Sequence, residues 1–306
     1  MQWVGANELA LNIRKTNYML FSRTRNIIFE NFIPKINNIP IERKRVAKFL
    51  GVLVDEKLTW TYQISAIKAK MSRYVGTMYK LKNILPLKAR LMIYNSLVQS
   101  HLNYCSLIWG TSSKSNIEKL FTTQKKAIRA IMPGYVNYFY TDGILPAHTK
   151  PFFKEANILT VHNIILKNIF VFLNTIYYFP ETLPRSIVQL ISPGAPSPAL
   201  PTNECITWYN DYNTIPYKKT VYFKGSLLYM DIIHNNYIEA IHNTHNHHTN
   251  GQIMSRKAFK NWCKHYLHKI QSDGNEQEWE SGNFKLYQIK GIRRYERIRA
   301  QDNLNV

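Results

Sequence analysis

The spacing of apolar residues along the chain changes at Trp60, from alternation to a period between three and four. Upstream of Trp60, short stretches rich in β-branched and aromatic residues predict one strand from Lys15 to Phe21 and another from Phe49 to Val54. Between them, the Asn37-Asn38 pair tolerates positive φ and predicts the turn of a β-hairpin. After the end of a helix at residues 3–12, the first part of the chain is therefore predicted to be mainly sheet.

Downstream of this region, the period indicates three consecutive amphipathic helices. The first follows Trp60, the second begins at Pro86 and closes at Trp109-Gly110, and the third runs from Asn116 to Met132. The residues predicted to face inward are Ile64, Ile67, Met71, Tyr74, Met78 and Leu81, then Leu87, Leu91, Tyr94, Val98, Leu102 and Cys105, then Ile117, Leu120, Phe121, Ile128 and Ile131. We expect these helices to form a compact bundle.

The rest of the chain gives a coarser pattern. The apolar run from Ile158 to Phe179 is interrupted by polar residues, which favours a buried helix over a bilayer span. Residues 191–204 contain four prolines and predict a semi-rigid linker. The predicted domains are thus a sheet region at 1–60, a helical bundle at 61–190, this linker, and a mixed region at 205–306. The predicted fold class is α+β, mainly α.

The distribution of charged residues indicates what the chain could bind. The chain has 306 residues, 40 Lys and Arg against 19 Asp and Glu, and a pI near 9.8. Between Lys57 and Ile117 there is no acidic residue at all, although helical surfaces normally mix both signs. Such a surface attracts polyanions, above all a phosphate backbone. A basic scaffold or a protein that sits on anionic membranes would have a similar composition, so both alternatives stay open.

Other candidate sites are weak. The three cysteines lie far apart, so the spacing predicts neither a disulfide framework nor a zinc finger, and it favours a reducing compartment. No signal peptide is apparent, and an intracellular location, nucleus or cytoplasm, is expected. No carboxylate or cysteine lies among the histidines of residues 240–250, which predicts a polar loop and no metal site. The basic run from Lys290 to Arg299 fits a phosphate contact, a localisation patch or a solvated helix equally well.

Five ordered blocks carry a resemblance to a known family. They are Trp3 to Phe21, Lys48 to Asp55, Leu58-Thr59-Trp60, Asn103-Tyr104-Cys105 with Trp109-Gly110, and Gln124-Lys125-Lys126-Ala127-Ile128-Arg129. In this order they resemble the final part of non-LTR retrotransposon reverse transcriptases of the jockey-like kind. Val221 to Met230 and Ser255 to Ile270 resemble the tail of that family more loosely.

The resemblance implies roles for individual residues. Lys15 would correspond to a lysine proposed to protonate the leaving pyrophosphate, and the Phe49-Leu50-Gly51 turn to the primer grip. The three helices would correspond to the thumb, whose basic surface follows an RNA or DNA template-primer duplex. The residues expected to contact nucleic acid are Lys68, Lys70, Arg73, Lys80, Lys82, Lys88, Arg90, Lys125, Lys126 and Arg129. No small-molecule substrate and no membrane partner are expected.

The chemistry implied by the family needs carboxylates that hold two Mg²⁺ ions. No Asp-Asp pair occurs in these residues, and the only adjacent acids are Asp55 and Glu56, whose expected role is to cap the next helix. The sequence thus predicts a truncated polymerase that keeps duplex-binding parts, needs no cofactor in this chain and is inactive by itself. The alternatives are a repurposed, sequence-independent nucleic-acid-binding protein and the scaffold or membrane-surface protein.

Overall fold

The computed structural model describes residues 6–8, 10–21, 33–132, 149–184 and 255–273. The fold is α+β and mainly α, as predicted. The chain divides into two compact units, Met1–Ile67 and Lys68–Val306, and the division falls within one long helix, α1 (Thr61–Leu81). The predicted linker at 191–204 and the histidine-rich segment lie outside the described residues, as do the basic run after Lys290 and residues 3–5 and 9.

The first unit contains short strands in pairs. Strand β1 (Asn17–Tyr18) pairs in parallel with β4 (Glu42–Arg43), and β2 (Lys35–Ile36) forms an antiparallel hairpin with β3 (Ile39–Pro40). The hairpin turns at Asn37 and Asn38, whose φ angles are 48° and 63°, so the predicted turn is confirmed. Both residues take this conformation because asparagine tolerates positive φ better than most side chains do.

The predicted strand from Phe49 to Val54 is wrong, because the chain reverses in its middle. Strand β5 (Val46–Phe49) and strand β6 (Val52–Asp55) form an antiparallel hairpin in which Phe49 lies opposite Val52. The two-residue turn between them has φ angles of 45° at Leu50 and 84° at Gly51. Two positive φ values are what a type I′ turn requires, and that turn matches the twist of the strands. The apolar run concealed the turn because Leu50 is not a usual turn residue.

The loop that leads from β6 into α1 is organised by one carboxylate. Asp55 is buried, and its Oδ1 accepts hydrogen bonds from the backbone N–H groups of Lys57 and Thr59, at 3.2 and 3.0 Å. Its Oδ2 accepts the N–H of Trp60, the residue just before α1, at 2.8 Å. Asp55 therefore serves the entry to the helix, as expected from its position, although it acts across the whole loop and not as a single cap.

The second unit is helical over its described part. Beyond the end of α1, its elements are α2 (Leu87–Tyr94), a π turn (Asn95–Gln99), α3 (Ser100–Asn103), α4 (Ser106–Trp109), α5 (Lys114–Ile131), α6 (Lys150–Glu155), α7 (Val161–Tyr178) and α8 (Arg256–Asp273). The inward residues predicted for α5 are all buried, and α7 confirms the predicted buried helix. Among the described residues, no helix is both long and apolar enough to span a bilayer.

The second predicted helix is interrupted, which corrects the prediction of one helix from Pro86 to Trp109. Its first part runs from α2 through the π turn into α3, and Tyr94, Val98 and Leu102, which are spaced by four, are all buried as predicted. The helix then breaks at Cys105, whose φ is 52°. Leu87, predicted to face inward, is 38% exposed because it lies in the first turn of α2.

The short helix α4 lies very close to α7. Trp109 is fully buried, and its Nε1 donates to the carbonyl oxygen of Tyr104 at 2.8 Å. A Cβ atom at Gly110 would overlap the carbonyl oxygen of Ser106 and lie 2.7 Å from Cγ2 of Ile165 on α7. The Trp109-Gly110 block thus has a packing role, because only glycine leaves room for the neighbouring helix.

Two buried glutamines hold the segment that precedes α7. Gln124 on α5 donates to the carbonyl oxygen of Leu159 at 2.9 Å and accepts the N–H of Val161 at 2.8 Å. Gln271 on α8 donates to the carbonyl oxygen of Ile158 and accepts the N–H of Thr160, both at 3.0 Å. Each carboxamide therefore pairs with one backbone donor and one acceptor, as a neighbouring strand would, so these buried backbone groups are satisfied.

Candidate nucleic-acid interface

The predicted basic residues of α1 are all exposed. Arg73 and Lys80 are seven residues apart, so they lie on one side of the helix about 10 Å apart along its axis. At 100° per residue this side is opposite the buried Met71 and Met78, whereas Lys68 and Lys70 lie on the two flanks. The helix therefore presents cations over most of the surface that its buried stripe leaves free.

The first turn of α2 carries the next two predicted residues, Lys88 and Arg90. Lys88 is exposed, whereas Arg90 is half-buried. The Nε and Nη1 atoms of Arg90 are buried and have no hydrogen-bond partner within the described part of the chain. A guanidinium with two unpaired donors suits a phosphate oxygen, because a charge-assisted hydrogen bond would satisfy donors whose burial otherwise costs free energy.

The predicted residues of α5 divide into two kinds. Lys126 is exposed and Arg129 is half-buried, and both lie on the outward side of the helix with Lys119. Lys125 instead places its Nζ 4.9 Å from the centre of the Phe121 ring, a cation–π contact. The only acid on this helix, Glu118, lies 3.3 Å from Nε2 of the buried His162. The outward face is therefore basic.

Aromatic side chains lie beside several of these cations. The rings of Tyr74 on α1 and His101 on α3 stack with their centres 5.8 Å apart. Burial, and secondarily the charge of Lys70, lowers the pKa of His101 below its usual value. Lys82, just after α1, lies 5.9 Å from the centre of the Tyr79 ring. Because His101 is held neutral near pH 7, the positive charge on this side comes from lysine and arginine.

The primer-grip-like residues lie at the tip of the β5–β6 hairpin. Phe49 is 68% exposed and Leu50 is 75% exposed, which leaves two large apolar side chains in water. Their backbone is fixed by the hairpin pairing and by Gln63, whose Oε1 accepts the N–H of Leu53 at 2.9 Å. An exposed apolar tip on a rigid support is suited to contact another molecule.

The position of Lys15 differs from its prediction. Lys15 closes a 3₁₀ turn (Ile13–Lys15), and the strand begins only at Asn17, so the predicted start of the strand is wrong. Asn12 accounts for this, because its Oδ1 accepts the N–H of Lys15 at 3.2 Å and stabilises the turn. The side chain of Lys15 is exposed.

The adjacent acids do not fit a Mg²⁺ site. The Asp55 carboxylate accepts hydrogen bonds from the loop into α1, and the Oε2 of Glu56 forms a 3.1 Å ion pair with Arg43. Metal binding would require both carboxylates to give up these partners. Within the described residues, no group of three His, Cys, Asp or Glu side chains could hold a metal ion. Of the cysteines, Cys105 and Cys263 are free thiols, and Cys205 lies outside the described residues.

One group of cations was not predicted from the sequence. Lys167 on α7 is buried, and Lys260, Lys264 and His268 on α8 act on it or on each other electrostatically. The spacing of four residues between Lys260, Lys264 and His268 is visible in the sequence and would have placed them on one side of a helix. Only the packing of α8 against α7 brings Lys167 to them.

Comparisons with known proteins give two similar relatives. Over 133 residues, 42% of this chain, it is 27% identical to the probable RNA-directed DNA polymerase from transposon X-element of Drosophila melanogaster. Over 99 residues, 31% of the chain, it is 30% identical to the RNA-directed DNA polymerase from mobile element jockey of the same organism. The matched stretches span 14% and 11% of these relatives.

No protein-family profile matches the chain, and no solved structure matches it. The two relatives agree with the family that the sequence blocks indicated. Part of this chain is thus related to the RNA-directed DNA polymerases of non-LTR retrotransposons, and the resemblance is confirmed.

Proposed function

We propose that this chain binds the template-primer duplex of a non-LTR retrotransposon reverse transcriptase, with the helices α1, α2 and α5 acting as its thumb. The observation that carries the proposal is the stretch from Lys68 to Arg90, which contains no acidic residue and whose lysine and arginine side chains are all exposed or half-buried. Two relatives named as RNA-directed DNA polymerases support a nucleic-acid partner.

The two kinds of contact in the proposal have different physical roles. Lysine and arginine on the helices neutralise phosphates and release counterions, which gives affinity without sequence preference. The apolar hairpin tip of Phe49 and Leu50 offers shape and van der Waals contact, which suits a sugar or base at the primer end. Arg90 adds directional donors for a phosphate oxygen. In this proposal Lys15 protonates the leaving pyrophosphate only when the catalytic carboxylates are supplied.

The proposal includes the absence of polymerase activity from these residues alone. Asp55 and Glu56 are engaged in the structure, and no Asp-Asp pair occurs in the sequence. We therefore expect no primer extension by the purified chain with Mg²⁺ and nucleoside triphosphates. Extension that disappears on Asp55→Asn would contradict this part of the proposal.

The duplex-binding part is tested by fluorescence anisotropy with a labelled RNA–DNA hybrid that has a recessed primer end. If the chain contacts about six phosphates, log K should fall with log salt concentration with a slope near −5. The Arg73→Gln/Lys80→Gln variant should lose roughly tenfold or more in affinity at about 0.1 M salt and flatten the slope by about 1 to 2. If the affinity of the unaltered chain for the hybrid did not depend on salt, the proposal would be contradicted.

A charge-matched control separates a defined surface from net charge. Lys35→Gln/Lys154→Gln removes two exposed cations from β2 and α6, which are not in the predicted set. It should leave affinity within about twofold. Equal losses in both variants would instead show that only total charge matters. Stronger co-sedimentation with anionic liposomes than binding to the hybrid would favour the membrane-surface alternative.

A further inference from the structure

Four basic side chains lie within electrostatic reach of one another where α8 packs against α7. Lys260, Lys264 and His268 follow one another at intervals of four residues, so they form one stripe along α8. Lys167 lies on the facing helix α7, within the electrostatic reach of Lys260 and Lys264. The two helices are locked together by Gln271, which bonds to the backbone before α7 and to the side chain of Asn163 at 3.0 Å.

The lysine on α7 is in an unusual environment. Lys167 is only 8% exposed, and its Nζ donates to the neutral Oδ1 of Asn103 at 3.3 Å. Burial, and secondarily the charge of Lys260, lowers its pKa. The groups that act on it electrostatically are cations and the buried Cys263 thiol, with no carboxylate among the described residues. A buried ammonium normally has a counter-charge, and here the protein supplies none from its described part.

The environment of His268, at the end of the stripe, also favours an anion. The Nε2 atom of His268 is buried and has no hydrogen-bond partner within the described residues. Burial, and then the charges of Lys264, His265 and Lys167, lowers its pKa to about 4. An anion placed between these groups would reverse that effect, because it would favour the protonated ring and accept its N–H.

We propose that Lys167, Lys260, Lys264 and His268 form a binding site for a backbone phosphate of nucleic acid. This site is separate from the cation set of α1, α2 and α5, and it adds a contact from α8 that the sequence blocks did not assign. A phosphate suits it because its several oxygens can accept from the ammonium groups and the imidazole together. The identity of the ligand rests on the proposed function, whereas the geometry of the site does not.

The first test measures binding of the same RNA–DNA hybrid by the full chain. Lys260→Gln/Lys264→Gln should weaken binding roughly fivefold to tenfold at about 0.1 M salt and flatten the salt slope by about 0.9, the contribution of one phosphate. The matched control is Lys257→Gln/Lys269→Gln, which removes two exposed cations from the same helix that do not act on Lys167 or His268. The control should change affinity by less than about twofold.

The outcomes separate this site from the proposed function. If the hybrid binds and only Arg73→Gln/Lys80→Gln weakens it, the α7–α8 site is refuted and the thumb-like face stands. If the unaltered chain does not bind the hybrid, the proposed function fails. Equal effects of the two α8 variants would also overturn the site, because they would show a net-charge effect.

A second readout follows the histidine itself. The imidazole signals of His268, assigned by comparison with His268→Gln, are titrated by NMR with and without the hybrid. Bound nucleic acid should move the pKa of His268 upward by at least about one unit, from its starting value of about 4. No movement on saturation with the hybrid would contradict the site. A shift produced by anionic lipid vesicles but not by the hybrid would overturn the assignment to nucleic acid.

Discussion

At the scale of single residues, the structure separates outward-facing cations from residues of the core within one sequence block. In the block from Gln124 to Arg129, Lys126 and Arg129 are on the outward side of α5, whereas Gln124 is fully buried. The Nε2 of Gln124 also donates to the hydroxyl of Tyr94 at 2.9 Å. Burial raises the pKa of that tyrosine, so its hydroxyl stays protonated. The glutamine is therefore needed for folding, and we assign it no contact with nucleic acid.

We predict that Gln124→Leu destabilises the protein by about 3 kcal/mol. The leucine leaves the hydroxyl of Tyr94, the carbonyl of Leu159 and the N–H of Val161 without their buried partner, and each orphaned group costs about 1 to 3 kcal/mol before relaxation. Urea unfolding followed by circular dichroism measures the change. Thr122→Leu, an exposed position on the same helix, should shift stability by less than about 0.5 kcal/mol. Similar midpoints for the two variants would contradict the role given to Gln124.

At the scale of elements, the β5–β6 hairpin places at its turn a residue that does not favour that turn. A type I′ turn favours asparagine and glycine, and the Leu50-Gly51 pair keeps only the glycine. A leucine with φ of 45° is strained by about 1 kcal/mol, and its side chain is 75% exposed. Neither fact favours folding, so both are consistent with a contact made by the tip.

We predict that Leu50→Asn separates folding from binding. Asparagine should keep the hairpin or stabilise it by a few tenths of a kcal/mol, because it fits the positive φ better. Loss of the exposed apolar side chain should weaken binding to the recessed-end hybrid about fivefold, which corresponds to roughly 1 kcal/mol of apolar contact. Ile39→Thr removes an exposed apolar side chain from the other hairpin and serves as the control. Unchanged affinity in Leu50→Asn would show that the tip does not touch the duplex.

At the scale of the whole molecule, the burial of histidines near cations makes stability depend on pH. In the folded state the pKa of His268 is lowered to about 4, by burial and then by Lys264, His265 and Lys167. The unfolded chain therefore binds more protons than the folded chain between about pH 4 and the ordinary histidine value near 6.5. Stability should be fully present above about pH 6.5 and should fall as the pH drops toward 4. His101, whose pKa is also lowered, contributes in the same direction.

This pH dependence is measured by urea unfolding between pH 4 and 7.5. We expect His268→Gln to make the decline shallower, because the residue that takes up the proton on unfolding is gone. Lys264→Gln should also reduce the decline, since it removes a charge that opposes protonation of the ring. A decline as steep in His268→Gln as in the unaltered chain would show that other groups control the acid sensitivity.

The sequence and the structure agree best where a long periodic pattern sets one face of a helix. The buried stripe of α5, the apolar helix α7 and the Asn37-Asn38 turn were all predicted, because each depends on local spacing or local backbone preference. The stripe of α1 was predicted too, except that Tyr74 and Leu81 are half-buried. Two of the errors fall at turns inside apolar runs. The reversal at Leu50 and the break at Cys105 both use positive φ at residues that give no local signal for it.

By itself, the sequence determined the relationship to reverse transcriptases, the helical character of the chain and the acid-free cation run, because all three are properties of residue order and type. Tertiary structure alone decided which polar residues are structural and which cations are brought together. Gln124 and Gln271 bind the segment before α7, which is far from Gln271 along the chain. The packing of α8 also brings Lys260, Lys264 and His268 to Lys167. Contacts between residues so far apart in sequence leave no periodic trace, so they emerge only when the helices pack.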